Sequence, residues 1–368
     1  MTTTADEDGT GQRCALREAI KAANGNAAYG GCPAGSGTDT ITFPSQAQQT
    51  YNITLAADVI ISSPITIAGG NHLFRGTQSS GGFSILAGSS ARVSHVKVTG
   101  FGRRSPFRVK GFLELKESEI HDNVSTGIPP QTLGIWVDAT GSLYASNSVL
   151  RGNSAIKGGG VYNVGGRVKL TNVAIVNNTS SQYGGGVMTT EATADTEIVN
   201  CTISGNTAVG WYGGGVFNGV DASTTIYNTT IVNNKAAKGG GIWMEDSIYG
   251  SLAIRNTIVA NNTATLDTTT AGCRGRIYTW TGNLIGTNAC SLTAFGAPTP
   301  NAPDVLNVVS VKLGALQTVG GGIQLAHPPQ FDSPAVDRIH PDWRFSSHDQ
   351  INNPRPRGVK SDIGAIER

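Results

Sequence analysis

Four times between Asn147 and Met244 the chain writes nearly the same phrase: NSVLRGNSAIKGGGVYN from Asn147, NVAIVNNTSSQYGGGVM from Asn172, NCTISGNTAVGWYGGGVFN from Asn200 and NTTIVNNKAAKGGGIWM from Asn228. Alignment puts Asn147, Asn172, Asn200, Asn228 and Asn256 in one column at steps of 25, 28, 28 and 28 residues, with Glu117 and His95 in that place in earlier repeats. Three residues on stands an apolar column, Ile120, Leu150, Ile175, Ile203, Ile231 and Val259. A second asparagine column follows at Asn123, Asn153, Asn178, Asn206, Asn234 and Asn262. Self-similarity at this period is the mark of a solenoid.

Between the columns, residues alternate with period two. Leu143/Ala145, Val168/Leu170, Thr196/Ile198, Thr224/Ile226 and Leu252/Ile254 share one face, so these segments read as short strands with one buried side. A repeat of 25 to 28 residues with three short strands and three turns is the unit of a parallel β-helix, whose coils stack about 4.8 Å apart. Like residues then form vertical files, and each asparagine of the last column can bond the one above and below. That ladder accounts for the Asn-rich corners together, including NNTS at Asn177–Ser180, which otherwise reads as a glycosylation sequon.

The 368 residues could hold two or three domains, but the composition favours one repetitive body. There are 49 glycines and only 14% charged residues, so turns and small polar side chains are in heavy use. A net charge of +2, with no basic run interleaved with aromatics, argues against nucleic acid. No run of 18 apolar residues exists to span a membrane, and the opening MTTTADEDGTG is polar, which leaves room for an export signal removed upstream. The five cysteines lack CxxC spacing. Cys14 with Cys32 and Cys273 with Cys290 would close loops of similar size near the two ends, which implies an oxidising compartment. Cys201, in an apolar setting, reads as a small core residue.

A stack of strands must be covered at its ends. CALREAIKAANGN carries Leu16, Ala19, Ile20 and Ala23 at helical spacing before Gly25, which predicts an amphipathic helix at about 14–26 plugging the first coil. The expected division is a solenoid over 1–290 and a Pro-rich C-terminal tail over 291–368 that packs on and closes it, with a last apolar run at Ile363–Ile366.

These ends also carry a family resemblance. CALREAIKAANGNA…GCPAGSGTDTITF resembles the CSLREA-type N-terminal motif of secreted bacterial β-helix proteins, with Ala15 where that motif has Ser. LGALQTVGGGIQLAHPPQFDSPAVD and DQINNPRPRGVKSDIGAIE resemble the choice-of-anchor Q tail, with TVGG where the tail reads DNGG, and the GGG(V/I) coils are similar to polymorphic outer-membrane protein repeats. The resemblance implies a right-handed parallel β-helix, exported or displayed at the cell surface, and carries no shared catalytic residues.

Strand alternation places Leu133, Ile135 and Val137 inward in one coil and Ile242 and Met244 inward in another, so the residues between them point out. Trp136, Tyr162, Met188, Phe217 and Trp243 then form an outward column beside glycines Gly134, Gly160, Gly186, Gly215 and Gly241, which together suggest a sugar-binding groove with a smooth glycine floor. Two other readings compete: the tail folds over this stripe as ordinary core, or the faces are inverted.

Just before the glycines stand Lys157, Tyr183, Tyr212 and Lys238, with Trp211 at the edge. Stacked lysines would lower a phenol's pKa, giving a tyrosine base and a lysine that neutralises a uronate carboxylate, the needs of a polysaccharide lyase. The competing view makes these solvated turns. Acids recur at Asp138, Asp195, Asp221, Glu245 and Asp246; no cofactor is predicted, and the acids suit a glycosidase pair or a weak calcium site, with plain solvated turn acids as the competing view. His95 and His121 have no metal-like partners and read as structural.

The sequence therefore predicts a monomeric, secreted or cell-surface parallel β-helix. Its partner is a polysaccharide or cell-surface glycan, acted on by a lyase or a glycoside hydrolase, or simply held by a non-catalytic adhesin.

Overall fold

The structure is a computed structural model describing residues 1–43, 50–77, 81–124, 134–286, 290, 292–294, 303–339 and 345–368. Leu133, one of the residues expected to face inward, lies outside them. The chain winds as a parallel β-helix. One wall contains nine parallel strands among the described residues, one per coil. In the repeated region this first wall comprises Ile135–Val137, Val161–Val164, Val187–Thr190, Val216–Asn218 and Ile242–Met244. The second is built from strands such as Arg167–Thr171 and Asp195–Val199, and the third from Ala174–Val176, Thr202–Ser204 and Thr230–Val232. Equivalent residues pair directly: Leu150 with Ile175, Ile175 with Ile203, and Ile203 with Ile231. Where three strands per coil were expected, the middle coils carry a fourth, as short as Ser154–Ala155 and as long as Thr207–Tyr212. Its sequence is too brief to show a period of its own.

The corners explain the asparagines. The first column turns the chain from the second wall to the third in the left-handed region, with φ between 45° and 56° at His95, Glu117, Asn147, Asn172, Asn200, Asn228 and Asn256. Asparagine adopts that region more readily than other side-chain-bearing residues. A second left-handed corner falls at Asp122, Gly152, Asn177, Gly205, Asn233 and Asn261, one residue before the second asparagine column.

That second column is a continuous ladder. Each Nδ2 donates to the Oδ1 of the next rung at 2.8 to 3.0 Å, from Asn123 through Asn153, Asn178, Asn206 and Asn234 to Asn262. The other Nδ2 hydrogen goes to a carbonyl, Ile175 O for Asn206 at 2.8 Å and Ile203 O for Asn234 at 2.9 Å. Each Oδ1 also accepts the backbone N–H of the preceding rung, as Asn206 does from Asn178 at 2.9 Å. A buried amide is costly unless all its bonds are made, and here they are.

The triple glycine sits at the corner leading into the first wall. Its first member is left-handed, with φ of 60° to 71° at Gly158, Gly184, Gly213 and Gly239. The third lies beneath the ladder: a Cβ on Gly186 would come within 3.2 Å of Asn206 Nδ2, and one on Gly241 within 2.7 Å of Asn262 Nδ2. The expected outward glycine floor is therefore corrected. The column of Gly160, Gly186, Gly215 and Gly241 is buried and faces the ladder, because the corner brings its inner side against the asparagine amides.

The helix Leu16–Gly25 closes the first coil, burying Leu16, Ile20 and Ala23 in the main core. Glu18, itself buried, accepts the backbone N–H groups of Ala15 and Gly9, which caps the helix, and Arg17 pairs with Asp6 at 2.8 Å while donating to Ala57 O and Asp58 O. Disulfides join Cys14 to Cys32 and Cys273 to Cys290. Cys201 is buried in a column of hydroxyls: Val173 N–H donates to its Sγ, and Cys201 N–H donates to Thr229 Oγ1, so it substitutes for Ser or Thr, its thiol pushed up to about 12 by burial.

Parallel pairing continues past Cys290 through Leu292–Ala294 and Val305–Val308. Beyond that, the chain lies on the outside of the third wall. Val311, Ala335, Ile339 and Ile363 pack on Val232, Ile258, Ala260 and Leu284, while Leu316 and Leu325 pack on Val149, Ala174 and Val176. A buried Arg355–Glu367 pair at 2.9 Å, its guanidinium also held by Asp362 O and Gly364 O, fixes the end of this cover. No helix among the described residues is long and apolar enough to cross a membrane.

Replacing Asn206 by Leu strands donors on Asn178 and acceptors on Ile175 and Asn234, so denaturant unfolding should show a loss of about 3–5 kcal/mol. Asn233→Gly, at a left-handed corner outside the ladder, should stay within about 0.5 kcal/mol of the parent.

Candidate functional site

The outward column of the first wall is real and stacked in register: Trp136 beside Tyr162, Tyr162 beside Met188, Met188 beside Phe217, Phe217 beside Trp243. These side chains form a cluster separate from the main core, and the C-terminal cover contributes nothing to it among the described residues. The described residues of the tail pack on the third wall, where outward apolar residues such as Val232 and Ile258 give them a seat, and not on this stripe.

The stripe is nevertheless not bare. Tyr162, Met188 and Phe217 are buried by side chains from the neighbouring corner. Tyr183 packs on Phe217 with centroids 4.8 Å apart, Tyr212 stacks on Trp243 at 4.0 Å and 12°, and Trp211, 46% exposed, leans on Tyr183 at 5.6 Å. At the other end Trp136 packs on Tyr162 at 5.6 Å, and the Arg108 guanidinium lies 4.8 Å over the Trp136 ring. The result is an aromatic rail running along the stack.

The column Lys157, Tyr183, Tyr212, Lys238 is also assembled as expected. Gly158 N–H donates to Tyr183 O, Gly184 N–H to Tyr212 O and Gly213 N–H to Lys238 O, at 3.0 to 3.2 Å, which sets the four in successive coils. The expected electrostatics are reversed at Tyr183. Burial, the Glu245 carboxylate and Tyr212 raise its phenol above the ordinary value, whereas stacked lysines were expected to lower it. Tyr183 and Tyr212 pack ring against ring at 5.9 Å, and Tyr212 pairs in register with Lys238.

The acids separate into different roles. Asp138 is tied to Arg108 at 2.9 Å, and Asp195 sits on the second wall between Arg167 and Ser223 in register. Asp221, Glu245 and Asp246 come together around an open cavity of about 510 Å³ with Tyr249 and Arg276. The cavity exists because the turn Glu245–Gly250 is longer than its counterparts and bulges at the corner between the first and second walls. Ser247 shapes it: its Oγ bonds the Asp221 carboxylate and accepts the backbone N–H of Asp221, Tyr249 and Gly250. Burial first, and then the Asp246 charge, raises the Glu245 carboxyl above its usual range. No three His, Cys, Asp or Glu side chains among the described residues are grouped to hold a metal ion. His95 and His121 pair with Glu117 and Asp122.

Residues 133–297 match the family model described as "Right handed beta helix region". The chain is a right-handed parallel β-helix. A comparison with curated proteins and with solved structures found no match.

Four site residues escaped the sequence reading. Arg108 holds the rail position one coil before Trp136, and the alternation in Phe107–Val109 would have shown it. Ser247, Tyr249 and Arg276 lie in irregular turns, where only the extra length of MEDSIYG gave a signal. The raised Tyr183 phenol is checked by NMR titration of ring-labelled tyrosine: Tyr183 should ionise at higher pH than free tyrosine, and Glu245→Gln should narrow the gap.

Proposed function

We propose that the protein is an extracellular carbohydrate-active β-helix that lays a polysaccharide along the aromatic rail and cleaves it by hydrolysis at the acid cavity. The observation carrying this reading is continuity: Trp243, the last ring of the rail, is followed directly by Met244 and Glu245 in the cavity lining. Sugar rings lie well on aromatic faces, and a long groove parallel to the stack suits an extended chain. Right-handed β-helices include polysaccharide lyases and hydrolases, an analogy of fold that the site itself must justify. Both disulfides, and the resemblance of the two ends to secreted bacterial β-helices, support export to an oxidising space.

Hydrolysis needs a carboxylic acid that stays protonated and a carboxylate facing it. Glu245, with its raised pKa, takes the role of general acid, and Asp221, oriented by Ser247, takes that of the partner which activates water, with Asp246 sustaining the shift at Glu245. Trp211, with the half-buried Trp136 and Trp243, supplies the binding surface, and Tyr162 and Phe217 pack beneath it as support. An eliminative route on a uronate glycan, with Tyr183 or Tyr212 as base and Lys157 or Lys238 as neutraliser, fits less well because Tyr183 is harder, not easier, to ionise. A non-catalytic adhesin would use the same rail and yield no product.

The test is incubation with a panel of neutral and acidic glycans, following reducing ends and the ultraviolet absorbance of a new C=C bond. Reducing ends without that absorbance are expected; the absorbance would restore the lyase, and binding with neither signal would leave an adhesin. Glu245→Gln should lower kcat about 10²- to 10⁴-fold. A general acid must be protonated, so activity should fall as pH rises through the Glu245 pKa, above the ordinary carboxylate range. Trp243→Ala should weaken glycan binding about 10-fold.

A further inference from the structure

Where the C-terminal cover meets the third wall, it presents a histidine to a serine. Ser204 ends the strand Thr202–Ser204, directly before Gly205 at φ 68°, so its side chain points outward at a corner. Its Oγ lies 2.8 Å from His327 Nε2, and His327 Nδ1 lies 2.8 Å from Gly314 O. A carbonyl can only accept, so Nδ1 carries the hydrogen, and in the neutral ring Nε2 is the bare nitrogen that accepts the serine hydroxyl proton. Burial lowers the His327 pKa and so favours that neutral ring. The Gly314 carbonyl is itself fixed, since Gly314 N–H donates to Pro328 O at 2.8 Å.

Neighbouring anchors of the cover are of another kind: the Thr202 hydroxyl donates to the Gln350 side-chain oxygen at 2.6 Å, and Thr230 Oγ1 accepts the Ala365 backbone N–H at 3.1 Å. Neither couples a hydroxyl to a base.

Ser204 and His327 also line a cleft of about 470 Å³. Val232, Leu313 and Leu316 give it an apolar side, and Asn177, Asn233 and Asn261 line it as well. Nucleophile, base and a third group that orients the base, next to a space for substrate, are the parts of an acyl-transfer site.

We infer that this seam is a second active site, a serine esterase centre with Ser204 as nucleophile, His327 as general base and acid, and the Gly314 carbonyl as the group that positions the ring. The substrate class is an ester of a short acyl group: the apolar side takes the acyl chain, and the asparagine amides take the carbonyl oxygen as it gains charge. Ser204 Oγ bonds to the carbonyl carbon while its proton passes to His327 Nε2. The ester C–O bond then breaks, and the imidazolium returns the proton to the leaving alkoxide. Water repeats the sequence on the acyl-serine, His327 taking its proton, and releases the carboxylic acid and free Ser204. The inference does not depend on the glycan reading, since the seam and the rail lie on different walls.

Full-length protein is treated with a fluorophosphonate and mapped by peptide mass spectrometry, with p-nitrophenyl acetate as substrate. The expected result is phosphonylation of Ser204, with hydrolysis reduced at least about 100-fold in Ser204→Ala and labelling abolished in His327→Gln. Ser204 left unmodified in the parent protein after prolonged exposure overturns the proposal, and this measurement requires no variant to fold. Labelling of His327→Gln at the parent rate overturns it as well, with limited proteolysis confirming that the cover remains docked.

Discussion

Everything in this molecule depends on backbone strands of successive coils lying in register, and the buried asparagine ladder is the interaction that enforces it. A parallel β-helix has no turn geometry linking one coil to the next in a fixed alignment, and a one-residue slip would exchange inner and outer side chains. The ladder resists such a slip because every interior rung, from Asn153 to Asn234, uses both amide hydrogens and both acceptor positions, one set within the file and the other on the backbone. Displacing one rung leaves polar groups unpaired on two coils at once. The glycine corners follow from the same constraint, since the ladder fills the space that a side chain at Gly186 or Gly241 would need.

With the inside committed to register, the walls are free to differ on the outside. The third wall presents Ala174, Val176, Val232 and Ile258, small or branched apolar side chains that receive the cover. The first wall presents large rings that pack mainly on one another and on the corner tyrosines. One face thus serves assembly of the fold, and the other carries the aromatic rail. The cavity at Glu245 arises where the period is broken by a longer turn, and the Ser204–His327 contact where a non-repeating segment meets the repeats. Both proposed sites fall at interruptions of the pattern.

This division also explains what could be read from the sequence. The strands, the inward faces, the asparagine ladder, the capping helix and both cysteine pairs were legible, because stacking turns a one-dimensional period directly into spatial neighbours. Residues such as Ile203 and Asn206 have partners at a constant offset. The direction of the third glycine was misread, since a corner shifts the simple alternation that holds within a strand. The electrostatics at Tyr183 were misread for a related reason: the rings of Phe217 and Trp211 enclose the phenol, and burial first, then the Glu245 charge, set its pKa. The seat of the cover, and with it the pairing of Ser204 with His327, had no period to betray it, the two residues being far apart in the chain and joined only by a docked irregular segment.

The cover has one more consequence. Its bonds reach Ser148, then Asn200, Thr202 and Ser204 on one coil, then Thr230 and Asn256, four coils along the stack in all. A repeat array of this kind ordinarily tolerates duplication or loss of a unit, because each unit touches only its neighbours. Here the irregular segment acts as a ruler laid against the array: one inserted unit would move the far anchors by about 4.8 Å relative to the near ones and break their spacing. The length of this solenoid is therefore a fixed dimension of the molecule, gauged by the strand that runs beside it.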